Sequence, residues 1–235
     1  MKICALFSGG KDSVMAAYKV MLEGHMIAVL LTMIPKSSDS YMYHVPNIRL
    51  TKYSAEAMGI PLEVRESVGK PPEENADLFN ALKEIKEKYG IDGVSAGAVG
   101  SRYQYNIVAK ICKDLDLKVY APYWQKDHEG LIREALDAGF EILIAGVAAY
   151  GLDDSWLGRR LDYKALEELK KLRDKYKVDI GGEGGEYETF VIDGPLFKKR
   201  IEIRQARKTW DGVRGDYVIE KLGLKEKGSE KRKDP

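Results

Sequence analysis

Six residues near the amino terminus, Ser8-Gly9-Gly10-Lys11-Asp12-Ser13, combine the parts of an anion cradle. Two glycines let the backbone turn tightly and bring its N–H groups up to an oxyanion. Ser8 and Ser13 add hydroxyl donors, and Lys11 adds a cation. A helix beginning near Asp12 aims its positive end at the same point. The run is not a Walker A loop: Ala5 stands where the first glycine belongs and Asp12 where the hydroxyl belongs. Nor does it fit the Gly-x-Gly-x-x-Gly spacing of dinucleotide-binding turns. A carboxylate at Asp12 would repel phosphates unless a cation intervened, which points to Mg2+ held there. An ordinary glycine turn with a helix cap explains the glycines and serines, but not Lys-Asp-Ser beside them.

A second run, Gly181-Gly182-Glu183-Gly184-Gly185-Glu186-Tyr187-Glu188-Thr189, is built differently. Four glycines in five positions are too flexible for a helix or a regular strand. The carboxylates Glu183, Glu186 and Glu188, with Thr189, read as a polar site formed by close backbone approach. If a strand begins at Tyr187, alternation puts Glu186 and Glu188 on one face. A plain solvated loop also carries glutamates, so this run alone is the weaker signal.

Both runs must be positioned by the elements around them. Lys2–Phe7 is a short β-rich run, and Asp12–Glu23 carries Val14, Ala17, Tyr18, Met21 and Leu22, the stripe of an amphipathic helix. Met26–Met33 is continuously apolar, as a buried parallel strand is. The spacing then predicts a helix over Val45–Met58, a strand over Pro61–Glu66, a helix over Ala76–Tyr89 and a strand over Gly93–Ala98. A helix over Tyr103–Asp116 and a strand over Lys118–Ala121 complete the series. Repeated β-α units of this kind imply an α/β fold, a parallel sheet with helices on both faces.

After about Pro122 the pattern changes. A helix over Glu129–Ala138, a strand over Glu141–Ala149 and a charged helix over Tyr163–Tyr176 are followed by three short antiparallel strands. Those strands are Tyr187–Ile192, Lys199–Arg207 and Asp216–Leu222, with turns at Pro195, Gly212 and Gly215. The division expected is a nucleotide-binding domain over 1–125, a smaller α+β substrate domain over 126–224, and a charged disordered tail over 225–235.

Composition excludes several classes. Thirty-eight Lys and Arg nearly cancel 37 Asp and Glu, for a net charge of +1 in 235 residues. A nucleic-acid coat or a polybasic membrane binder carries a large basic excess, so no stable nucleic-acid binding is expected. The longest apolar stretches, near Met26–Leu31 and Ile142–Ala149, fall short of a membrane span, and Ile3–Phe7 is too short for a signal peptide. Cys4 and Cys112 form neither a CxxC pair nor a disulfide framework, and the expected location is cytoplasmic.

Placed directly after an N-terminal strand, Ser8–Ser13 resembles the PP-loop of the N-type ATP pyrophosphatases. The Gly-Gly-Glu-Tyr-Glu-Thr run closely resembles the signature of diphthine–ammonia ligases within that superfamily. Ser101-Arg102-Tyr103-Gln104, Ala121-Pro122-Tyr123-Trp124 (Tyr123 replacing a leucine) and Tyr43-His44-Val45-Pro46 are similar to further segments of that family. The resemblance covers about residues 1–220. It implies a Rossmann-like sheet of the HUP type and cleavage of ATP between its α and β phosphates. The carboxylate of diphthine on elongation factor 2 would be adenylylated and then amidated by ammonium.

On that resemblance Ser8, Gly9, Gly10, Lys11 and Ser13 hold the β and γ phosphates, Lys11 also assisting catalysis, while Asp12 holds Mg2+. Thr32 and Met33, flanked by His44, lie where the adenine is expected, and Gly97 and Ala98 near the ribose or α-phosphate. Glu183, Glu186 and Glu188 position ammonium or take its protons. Arg102, Tyr103, Tyr187 and Thr189 meet the substrate. The basic stretch Lys198, Lys199, Arg200, Arg204 and Arg207 is a candidate docking surface for the protein substrate. Two other readings stay open, a PP-loop tRNA-modifying enzyme and an ATP- or AMP-binding sensor. The sequence leaves the oligomeric state open, a homo-oligomer included.

Overall fold

The computed structural model describes residues 1–36, 47–68 and 72–228. His44 and its neighbours in the Tyr43–Pro46 segment lie outside the described residues. Five strands, β1 (Lys2–Leu6), β2 (Met26–Pro35), β3 (Leu62–Ser67), β4 (Gly93–Ser95) and β5 (Lys118–Tyr120), form one parallel sheet in the order β3-β2-β1-β4-β5. The order reverses direction at β1, so the carboxyl end of β1 lies at the switch point, where open α/β sheets bind ligands. Helices α1 (Lys11–Leu22), α2 (Thr51–Met58), α3 (Glu73–Tyr89) and α4 (Arg102–Asp114) connect these strands.

The second unit starts with α5 (His128–Asp137), β6 (Glu141–Val147) and α6 (Tyr163–Tyr176). It ends with β7 (Tyr187–Asp193), β8 (Lys199–Trp210) and β9 (Gly215–Glu226). Its four strands run β7-β6-β9-β8 and every pairing is antiparallel. One apolar core covers both units: Ile3, Ala5, Phe7 and Val14 belong to the same cluster as Ile142, Phe190 and Phe197. A second cluster, with Cys4, Val29, Leu31, Leu78, Leu82 and Cys112, fills the opposite face of the parallel sheet under α3 and α4. Among the described residues no helix is long and apolar enough to cross a membrane.

Several boundaries differ from the sequence-based expectation, each for a local reason. The helix expected from Val45 starts only at Thr51, after a short 3-10 turn over Ile48–Leu50, because Asn47 takes a left-handed conformation (φ 64°). Asparagine tolerates that conformation, and an α-helix cannot run through it. Its amide is used elsewhere: Nδ2 donates to the Tyr217 carbonyl and Oδ1 accepts from the Ile219 amide, tying the β8–β9 hairpin to the first unit. Strand β2 runs two residues past Met33, to Pro35. Strands β8 and β9 are 12 residues each, longer than expected, because charged outward residues on this half-exposed hairpin hide the alternation. The strand also takes in Lys225 and Glu226, expected in the tail, which pair with Arg200 and Lys199.

Candidate functional site

The site is built where β7 crosses the loop between β1 and α1. Gly9 turns with φ 81°, and a side chain there would press on the Phe190 ring at 3.2 Å. The Gly9 carbonyl accepts from the Val191 amide at 2.9 Å. Gly10 caps α1 without a side-chain bond, leaving the first-turn amides directed out of the helix end, while Thr189 Oγ1 accepts from the Lys11 amide at 3.0 Å. Ser8 and Ser13 brace the loop from inside. Their hydroxyls lie 3.2 Å apart, Ser13 Oγ donates to the Gly10 carbonyl at 3.0 Å, and the Gly10 amide donates to Ser8 Oγ at 3.4 Å.

Lys11 is the joint between the two glycine runs. Only 4% exposed, its Nζ donates to Asp12 Oδ2 at 2.8 Å and to the Gly181 carbonyl, and it lies 5.4 Å from the centre of the Tyr187 ring. Burial works against its charge. Asp12, Tyr187 and Glu188 outweigh that, and its pKa stands above the ordinary lysine value. The ammonium is therefore a permanent cation at the floor of the site. Asp179 is ionised as well: burial opposes this, but His128, the Gly181 amide and Lys11 hold it below the usual carboxylate range.

The three glutamates of the second run have separate fates. Glu186 is spent on its own loop, where Oε2 accepts from the Gly184 amide at 2.9 Å and Oε1 from the Asp179 amide at 3.4 Å. Strand β7 begins at Tyr187 as expected, but these two bonds hold the Glu186 carboxylate on the loop amides. Glu183 reaches across to the loop after β4, where Oε2 accepts from the Gly100 amide at 3.0 Å. Glu188 is half-buried among Lys11, Asp12, Glu183 and Asp216. Loss of water raises its pKa to about 7, Lys11 pulling down while Asp12, Glu183 and Asp216 push up. A carboxyl poised there exchanges protons at neutral pH.

Other expected site residues take structural places. Thr32 is buried and its hydroxyl donates to the Phe7 carbonyl at 2.7 Å, fixing the exit of β1. Met33 is buried in the core under α3. Both side chains are turned inward, so a nucleotide here would meet the backbone of this segment. Gly97 abuts the PP-loop itself, since a Cβ there would stand 2.7 Å from Asp12 C and Ser13 N. Ala98 follows it, buried. Tyr187 and Thr189, expected against substrate, are buried supports: the Tyr187 hydroxyl donates to the Ile180 carbonyl and Thr189 holds Lys11. Arg102 and Tyr103 are exposed at the start of α4, capped by Ser101, which leaves them accessible to a large substrate.

Sequence reasoning missed His128 and Asp179. His128 Nδ1 and Asp179 Oδ1 are 2.8 Å apart, and His128 lines a small pocket with Lys11, Asp12, Val99, Gly181 and Glu183. The available signal was scarcity: the chain has three histidines, and this one follows an Asp cap at a helix start. A groove of about 800 Å³ lies elsewhere, lined by Leu143, Arg160, Asp193, Arg200, Tyr217 and Lys227. Its charges pair with one another, Arg160 and Arg200 on Glu141 and Lys227 on Asp193, so it has the character of a solvated seam.

Comparison with known proteins agrees along almost the whole chain. A family model described as the diphthamide synthase N-terminal domain matches residues 1–119, and one for the diphthamide synthase C-terminal domain matches residues 127–224. Proteins named diphthine–ammonia ligase are similar in rat (41% identity) and human (40%), over 86% of this chain and 83% of each relative. The fission yeast protein of that name is 35% identical over 86% of this chain but 36% of its own length. Among solved structures, a predicted tRNA methyltransferase subunit from Methanocaldococcus jannaschii superposes with a TM-score of 0.45 at 16% identity, covering 83% of this chain and 97% of that one. With both family models matched in order, and relatives at about 40% identity covered over most of their length, the chain belongs to the diphthamide synthase family.

Proposed function

We propose that this chain is a diphthine–ammonia ligase, using ATP and ammonium to convert the diphthine carboxylate of elongation factor 2 into an amide. The observation that carries the reading is the clamp between the two glycine runs. Lys11 binds the Gly181 carbonyl and Thr189 binds the Lys11 amide, so the carboxylate-rich run of the second unit sits on the phosphate cradle of the first. Residues 1–125 then supply ATP binding, and 126–224 the groups that handle the nucleophile and the protein substrate.

The amides of Gly9 and Gly10, the hydroxyls of Ser8 and Ser13, and Lys11 receive the β and γ phosphates and stabilise charge on departing pyrophosphate. Among the described residues no group of three or more ligating side chains surrounds a metal position. Asp12 is a lone, partly exposed carboxylate at the loop. That donor set fits Mg2+, which takes one or two carboxylates and completes its shell with water and phosphate oxygens. When bound, Mg2+ supplies charge neutralisation to the triphosphate.

The diphthine carboxylate attacks the α-phosphorus, the bond to the β-phosphate oxygen breaks, and pyrophosphate leaves. Ammonia then attacks the acyl carbon of the adenylate and AMP departs, a far better leaving group than oxide. Glu183 and Glu188 attract the ammonium, and Glu188, once ionised, takes one of its protons. A translation factor as substrate places the reaction in the cytoplasm.

Sulfur transfer to tRNA, an alternative PP-loop chemistry, has no support in the thiols. Cys4 and Cys112 are buried, and loss of water pushes the Cys112 thiol up to about 12 and Cys4 higher still. The test is purified protein with Mg-ATP, ammonium and diphthine-bearing factor, following AMP release together with the carboxylate-to-amide mass change. Coupled appearance of both supports the ligase. AMP without amidation means another substrate, tRNA being next, and binding without cleavage means a sensor. Turnover with glutamine in place of ammonium would overturn the choice of nitrogen donor.

A further inference from the structure

An amide nitrogen made from ammonium sheds two protons, one before it can attack and one after it has bonded to carbon. The site described so far provides one acceptor, Glu188. A second candidate acceptor lies in the second unit. His128 begins α5, and its Nδ1 lies 2.8 Å from Asp179 Oδ1. An ionised carboxylate only accepts, so Nδ1 carries the hydrogen, and the tautomer this fixes has its acceptor lone pair on Nε2, on the far side of the ring. Asp179 is itself fixed by the Gly181 amide at 2.8 Å, and Gly181 packs flat against the ring, where a Cβ would clash at 2.5 Å. The ring is locked in both tautomer and orientation.

Its free nitrogen is aimed at a definite place. A Cβ added at Gly100 would stand 3.5 Å from His128 Nε2 and 3.6 Å from Glu183 Oε2, so both atoms face one point beside Gly100. Gly100 is exposed, so this point is open to solvent, and Lys11 and Asp12 line the narrow cleft behind His128 and Glu183. A carboxylate oxygen and an imidazole lone pair converging on one point is a donor set for a small cation with several N–H bonds.

Resting on the ligase reading, we infer that the space beside Gly100 is the ammonium site, with Glu183 binding the cation and His128 Nε2 accepting one of the two protons that the nitrogen sheds. In the sequence assigned to it, ammonium enters as NH4+, Glu188 takes the first proton, and the nitrogen lone pair attacks the acyl carbon. The C–O bond to AMP breaks with its electrons going to AMP, and His128 takes the second proton from the N–H3+ adduct. The amide, AMP and two protonated side chains balance the step, and both side chains then release their protons to water. Asp179 is a positioning residue, acting only through the ring.

Two variants test this in the full-length protein. His128→Gln should retain ATP–pyrophosphate exchange dependent on diphthine-bearing factor while amide formation falls roughly 100-fold, the usual contribution of a general base. The loss should persist with hydroxylamine, which is neutral near pH 7 and skips only the first proton, the one assigned to Glu188. Gly100→Ala should fill the ammonium point without strain, since its neighbours stand at ordinary contact distance. It should raise the KM for ammonium at least several-fold, with exchange unchanged.

Wild-type amide rates from His128→Gln, or equal loss of exchange and amidation, would overturn the assignment and leave the ligase reading standing. An unchanged ammonium KM in Gly100→Ala would overturn the location. Wild-type protein that makes no ammonium-dependent amide would remove the ligase reading itself.

Discussion

Charged side chains in this molecule are used in two opposite ways. Around the Ser8–Ser13 loop, Lys11 and Glu183 are bonded to backbone groups from distant parts of the chain, Asp179 and Glu186 to amides of their own loop, and Asp12 to Lys11. On the β8–β9 hairpin the basic residues meet acids across the solvent-exposed sheet. Lys199 pairs with Glu226, Arg200 with Glu141, Arg204 with Glu202 and Arg207 with Glu220. The first arrangement fixes loops and shifts proton affinities. The second is loosely held and screened by water, worth well under 1 kcal/mol per pair. A basic run that looks like a docking surface in sequence is thus largely neutralised in the fold.

The largest break in this comparison is Lys11→Met, which keeps most of the volume and removes the cation. Asp12 and the Gly181 carbonyl lose their partner, and the departing pyrophosphate loses a donor. AMP release should fall by about 100- to 1,000-fold. Stability should drop by about 2 kcal/mol, as when a buried acceptor is left unpaired. Single-turnover AMP formation and denaturant midpoints check both parts. A variant that amidates normally would mean that Lys11 only joins the two units.

Gly97→Ala asks the same question of the backbone. Its Cβ would stand 2.7 Å from main-chain atoms of Asp12 and Ser13, which cannot yield as a flexible side-chain tip can. Either the start of α1 or the loop after β4 must move, at a cost of roughly 1–3 kcal/mol. The expected readout is a weaker ATP affinity together with a lower melting temperature. Gly90→Ala is the control for stability without site damage, since nothing lies near its Cβ and only its left-handed φ of 63° is strained.

These two positions also mark how far the sequence could be read. The turn at Ser8–Ser13 was legible because its signal is local: glycine, lysine, aspartate and serine lie together between a strand and a helix. The parallel sheet was legible for a similar reason, since strands such as β2 and helices such as α3 carry their burial pattern within themselves. The roles of Tyr187, Thr189 and Glu186 were not, because their partners, Lys11 and the amides of Asp179 and Gly184, are set by how two loops meet. The side chains of Thr32 and Met33 were assigned to a ligand by strand position alone, whereas their burial depends on what β1 and α3 place against them. His128 depends on a contact 51 positions away, with Asp179, which no local pattern encodes.

Glu188→Gln should separate activity from stability. In the folded chain this carboxyl binds its proton up to about pH 7, while in the unfolded chain it ionises near the ordinary glutamate value of 4.5. Between those values the folded state holds more protons than the unfolded state, so stability falls as pH rises through this window and then levels off. Glutamine cannot ionise and removes that loss. Without nucleotide or Mg2+, the variant should be more stable than the parent above pH 7, by on the order of 1–3 kcal/mol, and equal to it below pH 4.5. Amidation should fall by about 100-fold and lose its rise through neutral pH. A stability difference that does not change with pH would show that Glu188 is not held protonated by the fold.

Arg207→Ala should have the smallest effect, and its smallness is the point. Its guanidinium is 57% exposed and meets Glu220 at 3.0 Å, so stability should change by less than about 0.5 kcal/mol. ATP affinity, and pyrophosphate exchange at saturating protein substrate, should be unchanged, because nothing joins this strand position to the PP-loop cluster. What remains is docking. If β8 receives the protein substrate through charge, removing Arg207 raises the KM for that substrate a few-fold, and more at low ionic strength than at high. If the pairs with acidic neighbours already cancel the charge of this face, the KM is the same at both ionic strengths, and the large substrate must enter over the exposed start of α4, past Arg102 and Tyr103.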